Sequence, residues 1–431
     1  MWTRNETCEL RRELRMWVYG TMTSSDRMSR TLVYVYDIEP PRSSIGLGVP
    51  IRDRTNDLST VSASGPSYTS ALLHQLQRYR TTLPASAHLF FVPHSRSSWW
   101  CNQPSATLDE YWRNRSTTNF WRRRGGADHF TAVHKRHVLF ELGCRTRKWF
   151  RPDTPARNAT KFVGVIQCPW QNGHTRKSDE SVAAADGMVE VPYGCSVHNS
   201  SYWSPPTVNR PLLAAASFNA GGHRNQYQQM TLRKKLSEQC RAANTSTCRI
   251  IGLLGNYNLM RGPVGHQLMV KTVEAYRTAA FSLQPAGDDP ARKAILDSLA
   301  SGCIPVLFHR EQRALWPLHW GPWVNDSHVF FPYEQVLAGT IDVLRALAQI
   351  SPARLRVMQA SIAQNAHRLI YGICKKGSGA SVGSGERESR CEQYVADDAT
   401  AILLAEARRR ATAADDEEEG NRMVRLVIGS S

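Results

Sequence analysis

Residues 281–308 read, in immediate succession, as strand, Pro/Gly loop, helix, glycine turn and strand: Phe281-Ser-Leu-Gln-Pro-Ala-Gly-Asp-Asp-Pro-Ala-Arg-Lys-Ala-Ile-Leu-Asp-Ser-Leu-Ala-Ser-Gly-Cys-Ile-Pro-Val-Leu-Phe308. Gly287 allows a tight turn, and Pro290 suits the first turn of the helix that follows. The amino end of that helix offers free backbone N–H groups and the positive end of a dipole, which suits a diphosphate. Arg292 and Lys293 fall on its first turn, where cations oppose the dipole. An anionic ligand explains them better than helix stability does. Asp297, about one turn further on, either reaches a ribose hydroxyl or pairs with a lysine on its own helix.

The rest of the chain repeats this alternation. Strands are expected at 31–37, 87–93, 128–133, 162–167 and 189–192, with helices over 68–80 and 108–122. Paired prolines mark a linker over 202–209. A second series follows: strands at 212–218, 248–254, 281–284, 304–308 and 329–332, and helices over 225–240, 266–280 and 291–301. Helical segments over 333–350, 352–371 and 392–410 close the fold, before an acidic run, Asp415-Asp-Glu-Glu-Glu419. The expected division is a segment 1–30, an N-terminal Rossmann-like domain 31–205, a C-terminal Rossmann-like domain 206–350, closing helices 351–411 and an acidic tail 412–431. Two such domains facing a central cleft are a natural place for a nucleotide.

Composition narrows the partner. The formal charge of +17 favours an anion: nucleic acid, lipid surface, or a phosphate-bearing or acidic-glycan substrate. No aromatic RNA-binding pattern, zinc finger or basic zipper appears, so nucleic acid is not the expected partner. The ten cysteines contain no pair at metal-finger or thioredoxin spacing. Their even, dispersed number fits an oxidising compartment or a set of buried thiols. Asn-x-Ser/Thr motifs at Asn5, Asn114, Asn158, Asn199, Asn244 and Asn325 exceed the roughly two or three that chance supplies and favour the secretory pathway. No apolar run of membrane-spanning length occurs, and the opening residues have no signal-sequence core. Either the protein is cytosolic or an anchor is missing from this form of the chain. The second is the expectation.

The stretch 281–308 resembles the exostosin domain of glycosyltransferase family 47, nearest the plant and algal xyloglucan galactosyltransferase branch. There Phe-Cys-Leu-Gln-Pro-x-Gly-Asp precedes an arginine pair, Phe-Asp-Ser and Gly-Cys-Ile-Pro-Val-Phe-Phe. Val33-Tyr-Val-Tyr-Asp37, Leu89-Phe-Phe-Val-Pro93, Gly126-Ala-Asp-His-Phe130, Val189-Glu-Val-Pro-Tyr193 and the strand and turn from Pro211 to Gly222 fall in the family's order. The family's Phe-Cys-Leu is Phe281-Ser282-Leu283 here, and its Asp-Leu-Pro is Asp37-Ile38-Glu39-Pro40.

The resemblance implies a GT-B-like α/β fold, with 31–205 as the acceptor domain and 206–350 as the nucleotide-sugar domain. It implies inverting transfer of a sugar from a UDP-sugar to a cell-wall, glycoprotein or polysaccharide acceptor, in the Golgi lumen, with membrane association through an anchor outside this sequence. The chain has no Asp-x-Asp, the motif by which the other common transferase fold recruits a divalent metal. No metal or other cofactor is therefore expected, and protein cations must offset the departing diphosphate. The donor-binding candidates are Gly221, Gly222, Arg224, Gly287, Asp288, Arg292, Lys293 and Asp297. Asp128, His129 and Asp37 are the catalytic candidates for deprotonating the acceptor. Trp99, Trp100 and Trp121 either stack on sugars or pack in the core. The expected partners are a nucleotide sugar, a glycan acceptor and, as a further option, a homologous transferase chain. Two other readings stand beside this one: an inactive exostosin-like scaffold, and a polyanion-binding protein.

Overall fold

The computed structural model describes residues 31–36, 72, 75–92, 119–132, 158–164, 188–195, 210–218, 227–252, 262–287, 290–372 and 397–428. They fall into two compact units. An N-terminal unit takes its described residues from Met22–Thr55, Leu72–Val191 and Thr400–Ser431, and a C-terminal unit from Pro192–Ala399.

The N-terminal unit is built on six strands: β1 (Val33–Val35), β2 (Arg80–Thr81), β3 (Leu89–Phe91), β4 (His129–Ala132), β5 (Thr160–Val163) and β6 (Met188–Glu190). Their order is β2-β1-β3-β4-β5-β6, and every neighbouring pair is parallel. Every residue of β3 to β6 is buried, as expected of a parallel sheet covered on both faces. One face packs Tyr36, Ala87, Phe90, Val92, Trp121 and Ala159 together. Trp121, from the short helix α1 (Asn119–Arg123), is therefore a core side chain. Gly126 turns the chain from α1 into β4 at φ +89°, and a Cβ there would lie 2.4 Å from the Trp121 ring. Only glycine satisfies both demands.

The helix expected over 68–80 stops short of its end. Turn bonds from Arg78 N to Gln75 O and from Tyr79 N to Leu76 O close it, and Val33 N takes the Tyr79 carbonyl. Arg80 and Thr81 then become the edge strand β2, because pairing with β1 outcompetes another helical turn.

The C-terminal unit carries β7 (Leu212–Phe218), β8 (Cys248–Gly252), β9 (Ala279–Gln284), β10 (Ile304–Leu307) and β11 (Val329–Phe330). The order is β11-β10-β9-β7-β8, all parallel. Helices α2 (Tyr227–Ala242), α3 (Gly262–Thr278) and α4 (Lys293–Ala300) make the crossovers. The strand order thus reverses between β7 and β9, as in doubly wound nucleotide-binding folds. The expected two Rossmann-type α/β domains are present. β9 begins two residues earlier than its residues alone suggest, because Leu212 pairs with Ala279.

A disulfide, Cys240–Cys248, joins the last turn of α2 to the first residue of β8, and Cys303 is a buried free thiol. Burial pushes the Cys303 thiol up to about 12. Gly302, at φ +74°, ends α4 with bonds from its N to Leu299 O and from Cys303 N to Ser298 O, the double-bonded left-handed stop. Arg210, just before β7, gathers three carbonyls: Tyr276 O at 2.6 Å, Ala279 O at 3.0 Å and Ser301 O at 2.7 Å.

The helix expected over 333–350 is two helices, α5 (Tyr333–Leu337) and α6 (Val343–Ala348). The Asp342 carboxylate caps the second by accepting from Arg345 N. Helix α7 (Pro352–Asn365) follows, ending in a 3-10 turn, Ala366–Leu369. Helix α8 runs Ala399–Ile428, so the acidic run read as a tail is part of a helix. Among the described residues no helix is long and apolar enough to cross a membrane.

Candidate functional site

In the C-terminal unit, polar side chains converge at the carboxyl ends of β7 and β9, where the strand order reverses. Arg292 is not on the first helical turn. It is the N-cap of α4, with extended backbone (φ −133°, ψ 135°), so its side chain turns back over the strand ends. Its Nη2 donates to Ser217 O of β7 at 2.9 Å, and its Nη1 to Gln284 Oε1 of β9 at 3.0 Å. One guanidinium thus spans the two strands that flank the reversal. Both of these acceptors are neutral oxygens.

Gln284 is fully buried, and its Nε2 donates to Tyr276 Oη at 3.2 Å and to Ala294 O at 3.1 Å. Gln312, also fully buried, donates from Nε2 to Gln284 O and Pro290 O, and its Oε1 accepts from Phe308 N and His309 N. The two glutamines therefore lock the end of β9, the loop before α4 and the end of β10 into one frame. Arg233 of α2 enters from another side, donating from Nη2 to Ala286 O at 2.8 Å. Gly287 runs between the two arginines: a Cβ there would lie 3.5 Å from Arg233 Nη2 and 3.9 Å from Arg292 Cγ.

Lys293 and Asp297 pair with each other along α4, Nζ to Oδ2 at 2.7 Å. Of the two uses foreseen for Asp297, this is the intrahelical one. Gly221, Gly222, Arg224 and Asp288 lie outside the described residues, as does Asp37 in the N-terminal unit.

Asp128 and His129 are described and fully buried. Asp128 Oδ1 meets His129 Nδ1 at 2.8 Å, and Asp128 Oδ2 accepts from Arg123 Nη2 at 2.8 Å. A carboxylate only accepts, so Nδ1 carries the proton, and His129 Nε2 accepts from Tyr36 Oη at 3.0 Å. Phe90 stacks on the imidazole at 4.7 Å, and Trp121 covers it at 4.4 Å. Burial lowers the His129 pKa and outweighs its acidic neighbour, keeping the ring neutral. For Asp128 burial alone would raise the pKa, but the bonds from His129 and Arg123 together bring it below the ordinary value. The array ends on Tyr36, the residue that follows β1, where the N-terminal sheet also reverses its strand order.

Gln284, Gln312, Arg233, Tyr36 and Arg123 are site residues that the sequence reading did not single out. Gln284 and Tyr36 stood inside quoted motifs. The other three reach their partners through the fold, and no spacing announces them.

Among the described residues no cluster of three or more His, Cys, Asp or Glu side chains is arranged to hold a metal ion. The pattern of the Exostosin GT47 domain matches residues 27–338, most of the chain. The chain belongs to the Exostosin GT47 domain family. Both arrays described above lie within that GT47 match.

Several curated Arabidopsis thaliana proteins are similar to this GT47 chain. A probable xyloglucan galactosyltransferase, GT13, is 24% identical over 255 residues, covering 58% of this chain and 50% of the relative. The xyloglucan-specific galacturonosyltransferase 1 is 36% identical over 204 residues, 44% of this chain and 26% of the relative. The xyloglucan galactosyltransferase XLT2 is 24% identical over 320 residues, 70% of this chain and 56% of the relative. The chain thus spans about half the length of the first of these and about a quarter of the second. Among solved structures, CalG4, the calicheamicin glycosyltransferase, aligns at 12% identity and a TM-score of 0.31, covering 85% of this chain and 99% of that one. Likeness at that level carries no argument, and the fold rests on the two parallel sheets themselves.

Proposed function

We propose that this GT47 chain is an inverting glycosyltransferase that moves a sugar from a UDP-sugar to a cell-wall polysaccharide or related glycan. The observation that carries the reading is the Arg292 guanidinium, fixed across β7 and β9 at the strand-order reversal and beside the amino end of α4. That position is where doubly wound sheets receive nucleotides. Relatives named as xyloglucan galactosyl- and galacturonosyltransferases support the substrate class.

In this reading the acceptor hydroxyl attacks the anomeric carbon opposite the departing UDP, through an oxocarbenium-like state. Arg292 and the first-turn N–H groups of α4 meet the growing diphosphate charge, and Gly287 keeps the loop close to them. Lys293 and Asp297 form a charged pair on the same helix, with Asp297 serving the ribose once the pair opens. Gly221, Gly222, Arg224 and Asp288 complete the donor side by their place in the sequence. Asp128 and His129, enclosed by aromatic rings, act by holding Tyr36, and Asp37, the next residue, is the proton acceptor. The family and the Cys240–Cys248 disulfide support a Golgi or other secretory compartment.

A panel of UDP-sugars with purified protein tests the function, read as donor hydrolysis, transfer and thermal shift with UDP. Stabilisation by UDP that is lost in Arg292→Ala is expected. No shift and no turnover with any donor would remove the reading.

A further inference from the structure

Three of the glycosylation motifs fall on described residues, and all three occupy the same kind of place. Asn158-Ala-Thr160 leads into β5, Asn244-Thr-Ser246 fills the turn between α2 and β8, and Asn325-Asp-Ser327 precedes β11. Each asparagine is exposed. In a parallel sheet the segment that enters a strand stands at its amino edge. Ligand sites form at the opposite, carboxyl edge, and in the C-terminal unit that is the edge Arg292 spans.

We propose that Asn158, Asn244 and Asn325 carry N-linked glycans, placed on the amino edges of the two sheets. Local geometry is compatible at each. Asn244 Oδ1 accepts from Ser246 Oγ at 2.6 Å and Thr247 Oγ1 at 2.8 Å, so the oxygen is the anchored end of the amide. Its turn is bracketed by the Cys240–Cys248 disulfide, which belongs to the oxidising compartment where glycans are added. Asn158 Nδ2 donates to Gly125 O at 3.1 Å, and a glycosylated amide keeps one N–H for that bond. At Asn325 the neighbouring Arg354 bonds the main-chain oxygen, not the side chain. The donor is a lipid-diphosphate-linked oligosaccharide. A bond forms between its anomeric carbon and the asparagine Nδ2, the anomeric C–O bond to the diphosphate breaks, and the amide proton leaves with the lipid diphosphate.

The inference rests on the secretory placement proposed above, and its test forces that placement. The full chain, expressed behind a secretion signal in a eukaryotic host, is deglycosylated by amidase in heavy-oxygen water and mapped by peptide mass spectrometry. Labelled aspartate at positions 158, 244 and 325 is expected, with Asn244→Gln removing one glycan mass from the secreted protein. Unlabelled Asn244 in folded, secreted wild type overturns the proposal, and wild-type mapping needs no variant to fold. UDP binding measured before and after deglycosylation is expected to be the same. Weaker binding after glycan removal would overturn the separation of edges. Absence of UDP binding in both samples would count against the transferase reading, while site occupancy would still decide this one.

Discussion

Gln312 donates its side-chain N–H to the main-chain oxygen of Gln284 at 3.0 Å, although 28 residues separate them. The other end of the same amide receives Phe308 N and His309 N. A single buried side chain therefore sets the distance between the ends of β9 and β10, and Arg292 is aligned by the strand end that it holds.

Replacing Gln312 by leucine would strand two buried N–H groups and remove the bond to Gln284 O. A loss of about 3 kcal/mol in unfolding free energy is expected. UDP affinity, measured by calorimetry on the folded fraction, should fall as well. A stable Gln312→Leu protein with unchanged UDP binding would contradict this account of the frame.

Acid should weaken the C-terminal unit before any carboxylate titrates. Burial lowers His309 to about 4 and His319 to about 3, the latter against a bond to Ala399 O. Unfolded histidine takes a proton near pH 6.5, so stability is fully present above about that pH and is lost as pH falls towards the folded values. Between about pH 6.5 and 5 each histidine should remove about 2 kcal/mol. Urea titrations at both pH values check this, and His319→Gln should flatten the slope.

Removing the disulfide with Cys240→Ser and Cys248→Ser together should lower stability by about 2.5 kcal/mol, the chain-entropy value for so short a loop. Cys303, buried with a raised pKa, should resist alkylation in the folded protein and react only on unfolding.

Gly126→Ala combines a left-handed backbone with a Cβ overlapping the Trp121 ring. A loss of about 2–4 kcal/mol is expected. Because Trp121 covers His129, a change in tryptophan emission should accompany it.

What could be read from the residues was what local pattern controls. The strand Leu212–Phe218 has the bounds its hydrophobic run suggests, and the order of strands and helices was legible throughout the second series. Features decided by distant partners were not. Arg80 and Thr81 are a strand only because β1 lies beside them. The direction of Arg292 depends on a cap conformation that a motif does not specify. His129 meets Tyr36 across 93 residues, so its neutral, enclosed state was invisible until the sheet brought β1, β3 and β4 together.

The three carbonyls gathered by Arg210 include Tyr276, in the last turn of α3, and Ser301, the C-cap of α4. The carboxyl ends of both helices are fastened by the same bolt. Gln284 Nε2 fastens α4 again at its opposite end, through Ala294 O. Held at both ends, α4 behaves as a beam rather than a lever, and the edge beside Arg292 has little room to rock.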